Sequence, residues 1–425
     1  MEETIKKLNP WLFEHKLNKD YFGITRVKYL DEISKYLQVR EIILLTGVRR
    51  SGKSTLMYQL IEGLLNANTP KENICYFNFD VPIENNLKTI ELIVSKFKEI
   101  TNPQGKIYFF LDEIQVIKNW HTQIKAIYDT NPEIKFILTG SNNSLLKSNT
   151  SKLLTGRLFH IEIFPLSFSE YLDFNDVKTI KKEELKFHFN NFVKKGGFPE
   201  VVKEKSELIN EKRHRDYYAG ILFRDVLSSG KIKEESKLKD LGLFCSTNVG
   251  VLFSYNKISR AIGLSLDSVK EYLYQMESAY LLFQLTKYSY SVKESIQIQA
   301  QRKIYYIDSG LRNTLTFSFS KNSGRILENL IFIELKRRNK EIFYHKDKKE
   351  CDFVIRQGLE IAEAIQVCYE LTEENRKREL EGLKEAMKKY KLKQGLIITN
   401  DQEETIKEGT KTINIVPAWK WLLEY

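Results

Sequence analysis

Residues 47–55 are the feature that most constrains this sequence. They read Gly-Val-Arg-Arg-Ser-Gly-Lys-Ser-Thr, a complete match to the pattern G-x-x-x-x-G-K-[ST]. An apolar run, 42–46, precedes them, and a run with apolar residues at helical spacing, 56–65, follows them. Because Gly47 and Gly52 allow backbone dihedrals closed to other residues, successive N–H groups can turn inward at the positive end of the helix. The pattern therefore predicts a strand, a phosphate-binding loop and a helix; a glycine-rich connector with an incidental lysine is the alternative.

The residues of this loop have separate expected roles. Lys53 reaches the β- and γ-phosphates and assists catalysis, and Ser54 ligates Mg²⁺. Arg49 and Arg50 project from the loop, where either one steers phosphate or contacts a partner. The predicted nucleotide-binding set is Gly47, Arg49, Arg50, Ser51, Gly52, Lys53, Ser54 and Thr55.

Two acidic residues close a second apolar run. Residues 106–111 are typical of a buried strand, and Asp112 and Glu113 follow it directly. Ligands of parallel sheets bind beyond the carboxyl ends of the strands, so both acids are expected opposite the phosphate loop. We expect Asp112 to hold Mg²⁺ through water and Glu113 to orient and deprotonate the attacking water as a general base. Solvated acids at a strand end are the alternative.

The nucleotide is expected to be ATP rather than GTP, because no N-K-x-D guanine-reading motif follows the core motifs. A further apolar run, 134–139, ends in Gly-Ser-Asn-Asn. Polar side chains at this end of a strand can sense the γ-phosphate, and Ser141 and Asn142 are the predicted sensors. An ordinary cap between a strand and a helix is the alternative.

Composition limits the class of protein. The 425 residues, 42% of them hydrophobic, suffice for about two to four globular domains. No apolar run approaches the roughly 18–20 residues of a membrane span and the N-terminus lacks a signal-peptide pattern, so a cytoplasmic protein without membrane contact is expected. The four cysteines are scattered without a C-x-x-C pair, which predicts reduced, mostly buried thiols. A net charge of +11 suits nucleic acid or another polyanion, although lysine-rich solvated surfaces give the same sum.

Downstream of these motifs the pattern becomes helical. Residues 181–239 predict a helical lid with a bend at Gly196-Gly197. Residues 257–280 show a helix-turn-helix pattern followed by strands suited to a wing, which predicts a winged-helix domain. Its second helix is expected to expose a mixed-charge face, which favours packing or protein contact over reading of a DNA major groove. This face consists of Asp267, Lys270, Glu271, Tyr274 and Gln275.

A series of different short motifs extends in a specific order along nearly the whole chain. They lie at residues 47–55, 111–115 with Trp120, 138–141, 155–157, 165–171, 196–200, 223–226 and 350–353. In this order they resemble the archaeal and bacterial AAA-like ATPases that carry a C-terminal domain of unknown function. The resemblance implies an additional strand between the phosphate-loop strand and the Asp112 strand, a catalytic glutamate, and an arginine near the γ-phosphate. Arg157 is at the matching position and would act in its own chain or in a neighbour, with a plain surface arginine as the alternative.

Near the C-terminus, Glu328, Asp352 and the strand that follows them resemble the core of restriction-endonuclease-like nucleases. In that family a divalent metal is held by an acid like Asp352 and by the acid of an E-x-K pair, whose lysine assists the attacking water. Gln366 and Cys368 are at those two positions here. Glutamine has no negative charge and a thiol cannot act as the lysine. The resemblance therefore implies a nuclease-like fold without nuclease activity, retained as a platform for docking or for holding nucleic acid.

The whole sequence predicts an α/β protein with four parts. These are a P-loop NTPase core with a parallel sheet of the additional-strand type (1–175), a helical lid (176–240), a winged-helix domain (241–317) and a small, inactive α/β nuclease-like domain (318–425). Two functions remain open. The first is an ATP-hydrolysing motor or switch acting on DNA or another nucleic acid, and the second is a nucleotide-gated signalling or scaffold ATPase whose partners are proteins. Assembly with further copies of the chain is compatible with both.

Overall fold

The computed structural model describes residues 1–13, 21–82, 88–143, 145, 153–177, 181–227, 230–289, 301–316 and 323–424. The chain divides into two compact units, Met1–Ile163 with Ser278–Tyr280, and Phe164–Glu277 with Leu281–Tyr425. The first unit thus ends twelve residues before the predicted core boundary at 175 and includes a short distant segment. The predicted boundary at 317 lies outside the described residues.

The first unit is built around a parallel sheet of five strands. In chain order these are β1 (Ile42–Thr46), β2 (Ile74–Asn78), β3 (Ile107–Asp112), β4 (Ile134–Gly140) and β5 (Leu158–Glu162). Their order in the sheet is β2-β3-β4-β1-β5. Connections between parallel strands cover the faces of a sheet, which is why its inner strands are continuous apolar runs. β4 lies between β1 and β3, which confirms the additional strand that the resemblance implied.

Among the described residues of the first unit, two helices precede β1, and three connect successive strands from β1 to β4. They are α1 (Glu2–Leu8), α2 (Val27–Leu37), α3 (Lys53–Asn66), α4 (Thr89–Thr101) and α5 (Trp120–Thr130), with 3₁₀ turns at Pro10–Leu12, Lys71–Asn73 and Ile114–Val116. α3 buries Leu56, Leu60 and Ile61 in the core, which is the face that the helical spacing predicted. The predicted succession of strand, loop and helix from β1 to α3 is confirmed.

The second unit begins with helices. They are α6 (Phe168–Phe174), α7 (Lys182–Lys195), α8 (Pro199–Lys203), α9 (Glu207–Gly220) with a π-helix at Ile221–Val226, α10 (Glu235–Thr247), α11 (Tyr255–Ile262) and α12 (Leu266–Ser278). The described part of 181–239 is therefore largely helical, as predicted. Between α7 and α8 the chain packs so closely that a Cβ on Gly197 would lie 2.4 Å from the Leu166 carbonyl oxygen.

Two successive helices, α11 and α12, occupy the region of the predicted helix-turn-helix pattern. Gly263 between the helices has a φ of 73°, and the Ser265 hydroxyl accepts a hydrogen bond from the Ser268 N–H at 3.1 Å. The expectation that Gln275 is exposed was wrong. Gln275 is buried on α12, and its side-chain amide donates to the Glu271 carboxylate one turn earlier at 2.8 Å.

A two-stranded antiparallel sheet, β6 (Leu282–Thr286) and β7 (Arg302–Tyr306), follows α12. Residues 290–300, on which part of the wing was predicted, lie outside the described residues. The chain continues through α13 (Ser309–Thr314) and α14 (Ser323–Arg337).

The C-terminal part of the second unit is a mixed sheet of six strands with the order β12-β13-β11-β10-β9-β8. Its strands are β8 (Glu341–Lys346), β9 (Glu350–Gln357), β10 (Glu360–Val367), β11 (Gln394–Thr399), β12 (Glu404–Glu408) and β13 (Lys411–Pro417). α15 (Glu373–Lys389) connects β10 to β11, and α16 (Ala418–Trp421) follows β13. This part of the chain is α/β, as predicted.

The four cysteines are all buried, as predicted, and none of them is paired in a disulfide. Cys75 lies in the core of the first unit, and Cys351 and Cys368 lie in the core of the C-terminal sheet. Across the described residues no helix combines the length and the apolar character needed to cross a membrane.

Candidate functional site

Two glycines shape the loop that follows β1. Gly47 has a φ of 152°, and a Cβ on it would lie 2.1 Å from the Ile163 carbonyl oxygen, so a side chain there is excluded. Gly52, directly before α3, has a φ of 96°, and Arg50 also takes a positive φ of 70°. Ser51 is fully buried, and its hydroxyl oxygen has no hydrogen-bond partner among the described residues. The loop is therefore a cradle at the N-terminus of a helix with a buried polar atom unsatisfied, which fits a phosphate-bearing ligand.

Lys53 is the first residue of α3 and is folded back onto this loop. Its Nζ donates to the carbonyl oxygens of Gly47 at 3.0 Å and Val48 at 3.1 Å, and the residue is only 4% exposed. Ser54 and Thr55 follow in the same helical turn and are half-buried. The ammonium thus points into the concave side of the loop, where the sequence pattern requires it. Of the two loop arginines, Arg49 is half-buried and Arg50 is exposed.

Arg26 supports the loop from behind and was missed in the sequence. It is buried at the start of α2, and its Nη1 donates to the Ser51 carbonyl oxygen at 2.9 Å. Its guanidinium also lies 4.6 Å from the centre of the Tyr29 ring. A single arginine 21 residues before the motif carries no sequence signal, because only the fold brings it to the loop.

Asp112 ends β3 in a fully buried position surrounded by hydrogen-bond donors. Its Oδ2 accepts from the Tyr76 hydroxyl at 2.8 Å and from the Asn78 amide at 3.3 Å, and its Oδ1 accepts from the Thr139 hydroxyl. These donors come from the strands on either side of β3, namely β2 and β4. These hydrogen bonds fix the position of the Asp112 carboxylate. In turn, burial and the charge of Asp112 raise the pKa of the Tyr76 hydroxyl, which keeps it a donor.

Glu113 leaves the end of β3 in a left-handed conformation, with a φ of 57°. Its N–H donates to the Thr139 hydroxyl at 3.0 Å, and its carboxylate accepts from the Gln115 amide. Burial raises the pKa of Glu113, while the positive charge of Lys53 opposes that rise. The same Gln115 amide lies 3.1 Å from the Ser141 hydroxyl. The structure therefore joins the predicted base and one predicted sensor through Gln115, a residue to which sequence reasoning gave no role.

Asn142, the second predicted sensor, is half-buried directly after Ser141. The next residue, Asn143, donates its N–H to the Ser278 carbonyl oxygen at 2.7 Å. Two residues after Ser278, the Tyr280 hydroxyl lies 2.5 Å from Oγ1 of Thr46. Thr46 is the last residue of β1 before the phosphate loop. A segment more than 100 residues downstream thus completes the first unit beside the sensor turn and the phosphate loop.

Arg157 lies away from this edge of the sheet. Its carbonyl oxygen accepts from the Ile42 N–H at 2.8 Å, so it lies at the beginning of β1 and β5. Because both strands run in the same direction, the loop after Thr46 is about 16 Å away at a rise of about 3.3 Å per residue. Its Nε instead lies 3.5 Å from Asp129 Oδ1. The structure therefore does not bring Arg157 together with the phosphate loop, Asp112 and Glu113.

A second cluster of acids lies in the second unit and contains two of the predicted nuclease-like residues. Glu328 on α14 and Asp352 on β9 are both buried, with Glu350 of β9 beside them. Lys303 of β7 lies among the three carboxylates, a residue that sequence reasoning missed. Burial and the neighbouring charge of Asp352 raise the pKa of Glu328 to about 7. Burial by itself lowers the pKa of Lys303, but the negative charges of Asp352 and Glu328, with smaller contributions from Tyr305 and Glu350, outweigh it, so the pKa of Lys303 is well above its usual value.

Gln366 and Cys368 have different surroundings. Gln366 joins the cluster, since its side-chain oxygen accepts from the Asp352 N–H at 3.2 Å and its amide donates to Glu379 at 2.7 Å. Cys368 packs instead in the hydrophobic core of the C-terminal sheet. Glu363, the other acid of β10, forms an ion pair with Lys340 at 2.8 Å. The structure therefore brings together Glu328, Asp352 and Gln366 of the predicted set, and leaves Cys368 out.

Family comparisons divide the chain into three matched regions. Residues 39–172 match an AAA domain, residues 186–322 match a domain of unknown function (DUF8612), and residues 323–421 match a further domain of unknown function (DUF4143). The phosphate loop, Asp112, Glu113 and both predicted sensors all lie within the AAA domain. This confirms an AAA-type P-loop core for the first unit, which is the nucleotide-binding class that the sequence predicted.

Two full-length relatives match nearly the whole chain. Uncharacterized protein MJ1544 of Methanocaldococcus jannaschii is 35% identical over 409 residues, which cover 91% of this chain and 89% of that protein. An uncharacterized protein of Haemophilus influenzae is 32% identical over 410 residues, which cover 94% of this chain and 99% of that protein. The chain belongs to the family of these two proteins. The family thus includes an archaeal and a bacterial member, each with an alignment that extends over all three matched regions.

Among solved structures, the chain is similar to AMPPCP-bound DnaA from Aquifex aeolicus. The similarity has a TM-score of 0.33 and 16% sequence identity, and it covers 61% of this chain and 92% of that one. A similarity at this level adds nothing to the conclusions drawn from the family.

Proposed function

We propose that the first unit binds ATP with Mg²⁺ and hydrolyses it. The observation that carries the proposal is that the loop after β1 and the acids after β3 lie at the same edge of one parallel sheet. Nucleotides bind beyond this edge in proteins of the class. The unsatisfied hydroxyl of Ser51 and the cradle at Gly47 support a phosphate ligand in the loop.

Each residue has a task that follows from its surroundings. The loop N–H groups and Lys53 bind the phosphates, and Lys53 exchanges the carbonyls of Gly47 and Val48 for phosphate oxygens. The Ser54 hydroxyl and the Asp112 carboxylate are the hard oxygen donors that Mg²⁺ prefers, and the bound ion would neutralise charge on the phosphates. Glu113, held by Gln115, accepts the proton of the attacking water.

Two substitutions test binding and hydrolysis separately. Lys53→Ala removes the phosphate-binding ammonium, so we expect this variant to bind labelled ATP no more than a control without protein does. Glu113→Gln keeps the shape of the side chain but not its basicity, so we expect normal ATP binding and hydrolysis at least ~100-fold slower. Lys98→Ala and Glu133→Gln are matched controls, because they remove the same groups from a partly exposed ion pair of 2.7 Å in the same unit. Normal ATP binding by Lys53→Ala would contradict the proposal.

The wider role that we propose is coupling of this ATPase to DNA or another nucleic acid, with the second unit divided into a helical lid, a winged helix and a nuclease-like domain. The net charge of +11 and the α11–α12 pair support this role. A nucleotide-gated ATPase with protein partners is the alternative, supported by the mixed charge of α12. DNA that stimulates ATP hydrolysis, with an effect that weakens steeply as salt rises, would favour the first role, since phosphate contacts release counterions.

The nuclease-like domain is proposed to lack nuclease activity. Gln366 replaces an acid, and Cys368 lies in the hydrophobic core rather than in the cluster. Incubation of the protein with plasmid and Mg²⁺ or Mn²⁺ should leave the plasmid intact. Cleavage that is lost in Asp352→Ala would show the opposite.

A further inference from the structure

The acid cluster of the second unit surrounds a single lysine ammonium. Lys303 Nζ lies 2.9 Å from Glu328 Oε1, 2.9 Å from Glu350 Oε1 and 2.8 Å from Asp352 Oδ1, and its side chain is 1% exposed. An ammonium has three hydrogens, and here each has a carboxylate acceptor. Lys303 therefore has no hydrogen left with which to bind a further group, and no lone pair with which to act as a base.

The carboxylates have few other partners that could neutralise them. Glu328 Oε1 also accepts from the Tyr305 hydroxyl at 2.6 Å, and Asp352 Oδ2 accepts from the Val367 N–H at 3.0 Å. These donors are uncharged. Lys346 is a second cation near Glu350, at 3.6 Å and on an exposed side chain. Lys303 is thus the only buried cation that contacts this cluster among the residues that the structure describes.

The cluster is not sealed off from solvent. Glu328, Glu350 and Asp352 line a cavity of about 500 Å³. Its other lining residues are Gln366, Val367, Glu379 and the basic residues Lys346, Lys348, Lys349 and Arg378. An ion that enters the cavity can therefore reach the carboxylates. However, the Lys303 ammonium occupies the position between the three carboxylates.

We propose that Lys303 is the resident cation of this cluster, that it takes the place of a divalent metal ion, and that its removal turns the cluster into a divalent-metal site. Three carboxylates around one point are a donor set for a hard divalent cation. The oxygens lie 2.8–2.9 Å from that point. Ligand distances are roughly 2.0–2.6 Å for Mg²⁺ and Ca²⁺, so each carboxylate needs to move inward by less than about 1 Å.

Occupation of the cluster by Lys303 is separate from the absence of a nuclease lysine at position 368. A lysine from β7, outside the nuclease-like sheet, occupies the centre of the cluster and closes it to metal. The predicted loss of activity would then have a second, independent cause. The inference does not depend on ATP hydrolysis, because it concerns metal binding without nucleotide.

The test measures Mn²⁺ binding to the full chain without nucleotide, by electron paramagnetic resonance of free Mn²⁺ and by calorimetry. Lys303→Met removes the ammonium and leaves an uncharged side chain that is one atom shorter, so the point between the three carboxylates is vacated. We expect this variant to bind one Mn²⁺ at least about tenfold more tightly than the wild type does, and to gain thermal stability as Mn²⁺ is added. Adding Asp352→Asn to Lys303→Met should abolish both effects. Lys340→Met is the matched control, since it removes a lysine from an exposed ion pair with Glu363, and it should leave Mn²⁺ binding unchanged.

Two results would overturn the proposal. The first is Mn²⁺ binding by the wild type that is lost in Asp352→Asn, because the cluster would then take metal with Lys303 in place. The second is a folded Lys303→Met variant that binds Mn²⁺ no better than the wild type. If three unpaired carboxylates prevent folding of that variant, Lys303→Met with Glu328→Gln carries one negative charge less, and the same comparison applies to it.

Discussion

At the scale of single residues, the first unit contains a buried lysine far from the phosphate loop. Lys135 on β4 is 1% exposed and donates to the carbonyl oxygens of Val39, at 3.0 Å, and Glu41. Burial, followed by the positive charge of Lys106, lowers the pKa of Lys135 to about 8. Its ordinary pKa is about 10.4, so between these values the unfolded chain binds a proton that the folded chain does not bind.

This difference predicts a dependence of stability on pH. Stability rises with pH wherever the unfolded state binds more protons. The thermal unfolding midpoint of the wild type should therefore rise from pH 8 to pH 9.5 relative to that of Lys135→Met, in which this group is absent. The measurement is a pair of melting curves across that range. Parallel pH profiles for the two proteins would mean that Lys135 keeps an ordinary pKa in the folded state.

Arg26 leads to a prediction about nucleotide affinity. Its guanidinium holds the Ser51 carbonyl and so fixes the back of the phosphate loop. Hydrogen bonds that involve a charged group contribute about 1.5–3 kcal/mol, so Arg26→Ala should weaken ATP binding by roughly tenfold or more. Titration with a fluorescent ATP analogue measures this change.

Arg40 supplies the control for Arg26. It makes the same two kinds of contact, with a guanidinium 4.4 Å from the centre of the Tyr128 ring and a 2.7 Å hydrogen bond to the Tyr128 carbonyl oxygen. These contacts lie just before β1, away from the phosphate loop. Equal losses of affinity in Arg26→Ala and Arg40→Ala would point to general destabilisation rather than to support of the loop.

At the scale of secondary-structure elements, α15 packs directly against β9. Gly382 on this helix has no space for a side chain, because a Cβ would lie 2.0 Å from the Glu350 carbonyl oxygen. Gly63 on α3 is also helical, but nothing lies within 4 Å of its Cβ position. Both glycines thus have a helical backbone conformation, but only Gly382 is tightly packed.

Alanine substitutions at these positions should act in opposite directions. Gly382→Ala forces α15 away from β9, and overpacking of this kind costs about 1–3 kcal/mol of unfolding free energy. Gly63→Ala should instead stabilise by about 0.5–1 kcal/mol, since alanine restricts the unfolded chain and suits a helix. Denaturant unfolding of both variants tests the pair. Stabilisation by Gly382→Ala would show that the helix can move without cost.

The sequence allowed good prediction of elements whose signal is local. The strand β1, the loop and α3 follow from one motif, and Asp112 and Glu113 follow from an apolar run that ends in acids. Lys303 could not be predicted, because its partners Glu328 and Asp352 are 25 and 49 residues away. Nothing in the local pattern of β7 marks its lysine as buried, since a strand with one charged residue is ordinary. The contacts of Arg26 and Tyr280 with the phosphate loop and β1 could not be predicted for the same reason, because they also join residues far apart in the sequence.

At the scale of the whole molecule, the position of Arg157 connects turnover to assembly. If Arg157 serves the phosphate of a neighbouring chain, Arg157→Ala should lower ATP turnover by about 10³-fold or more with little change in affinity. A mixture of Arg157→Ala with Glu113→Gln should regain activity that neither variant has alone. In a mixed pair, the Arg157→Ala chain keeps its Glu113 base and receives Arg157 from the neighbouring Glu113→Gln chain, which restores one complete site. An inactive mixture of chains that do assemble would remove Arg157 from the mechanism.

The contact between Thr46 and Tyr280 also determines when the first unit can be finished during synthesis. These residues are 234 positions apart, although both belong to that unit. At about 5–20 residues per second, a ribosome needs roughly 6–25 s to pass from Ile163 to Tyr280. During that interval the nascent sheet lacks the hydroxyl that contacts the end of β1. We therefore expect a chain stalled after residue 163 to be cleaved by protease more readily than one released after residue 280. We also expect the phosphate loop to be accessible to a chaperone before Tyr280 is synthesised.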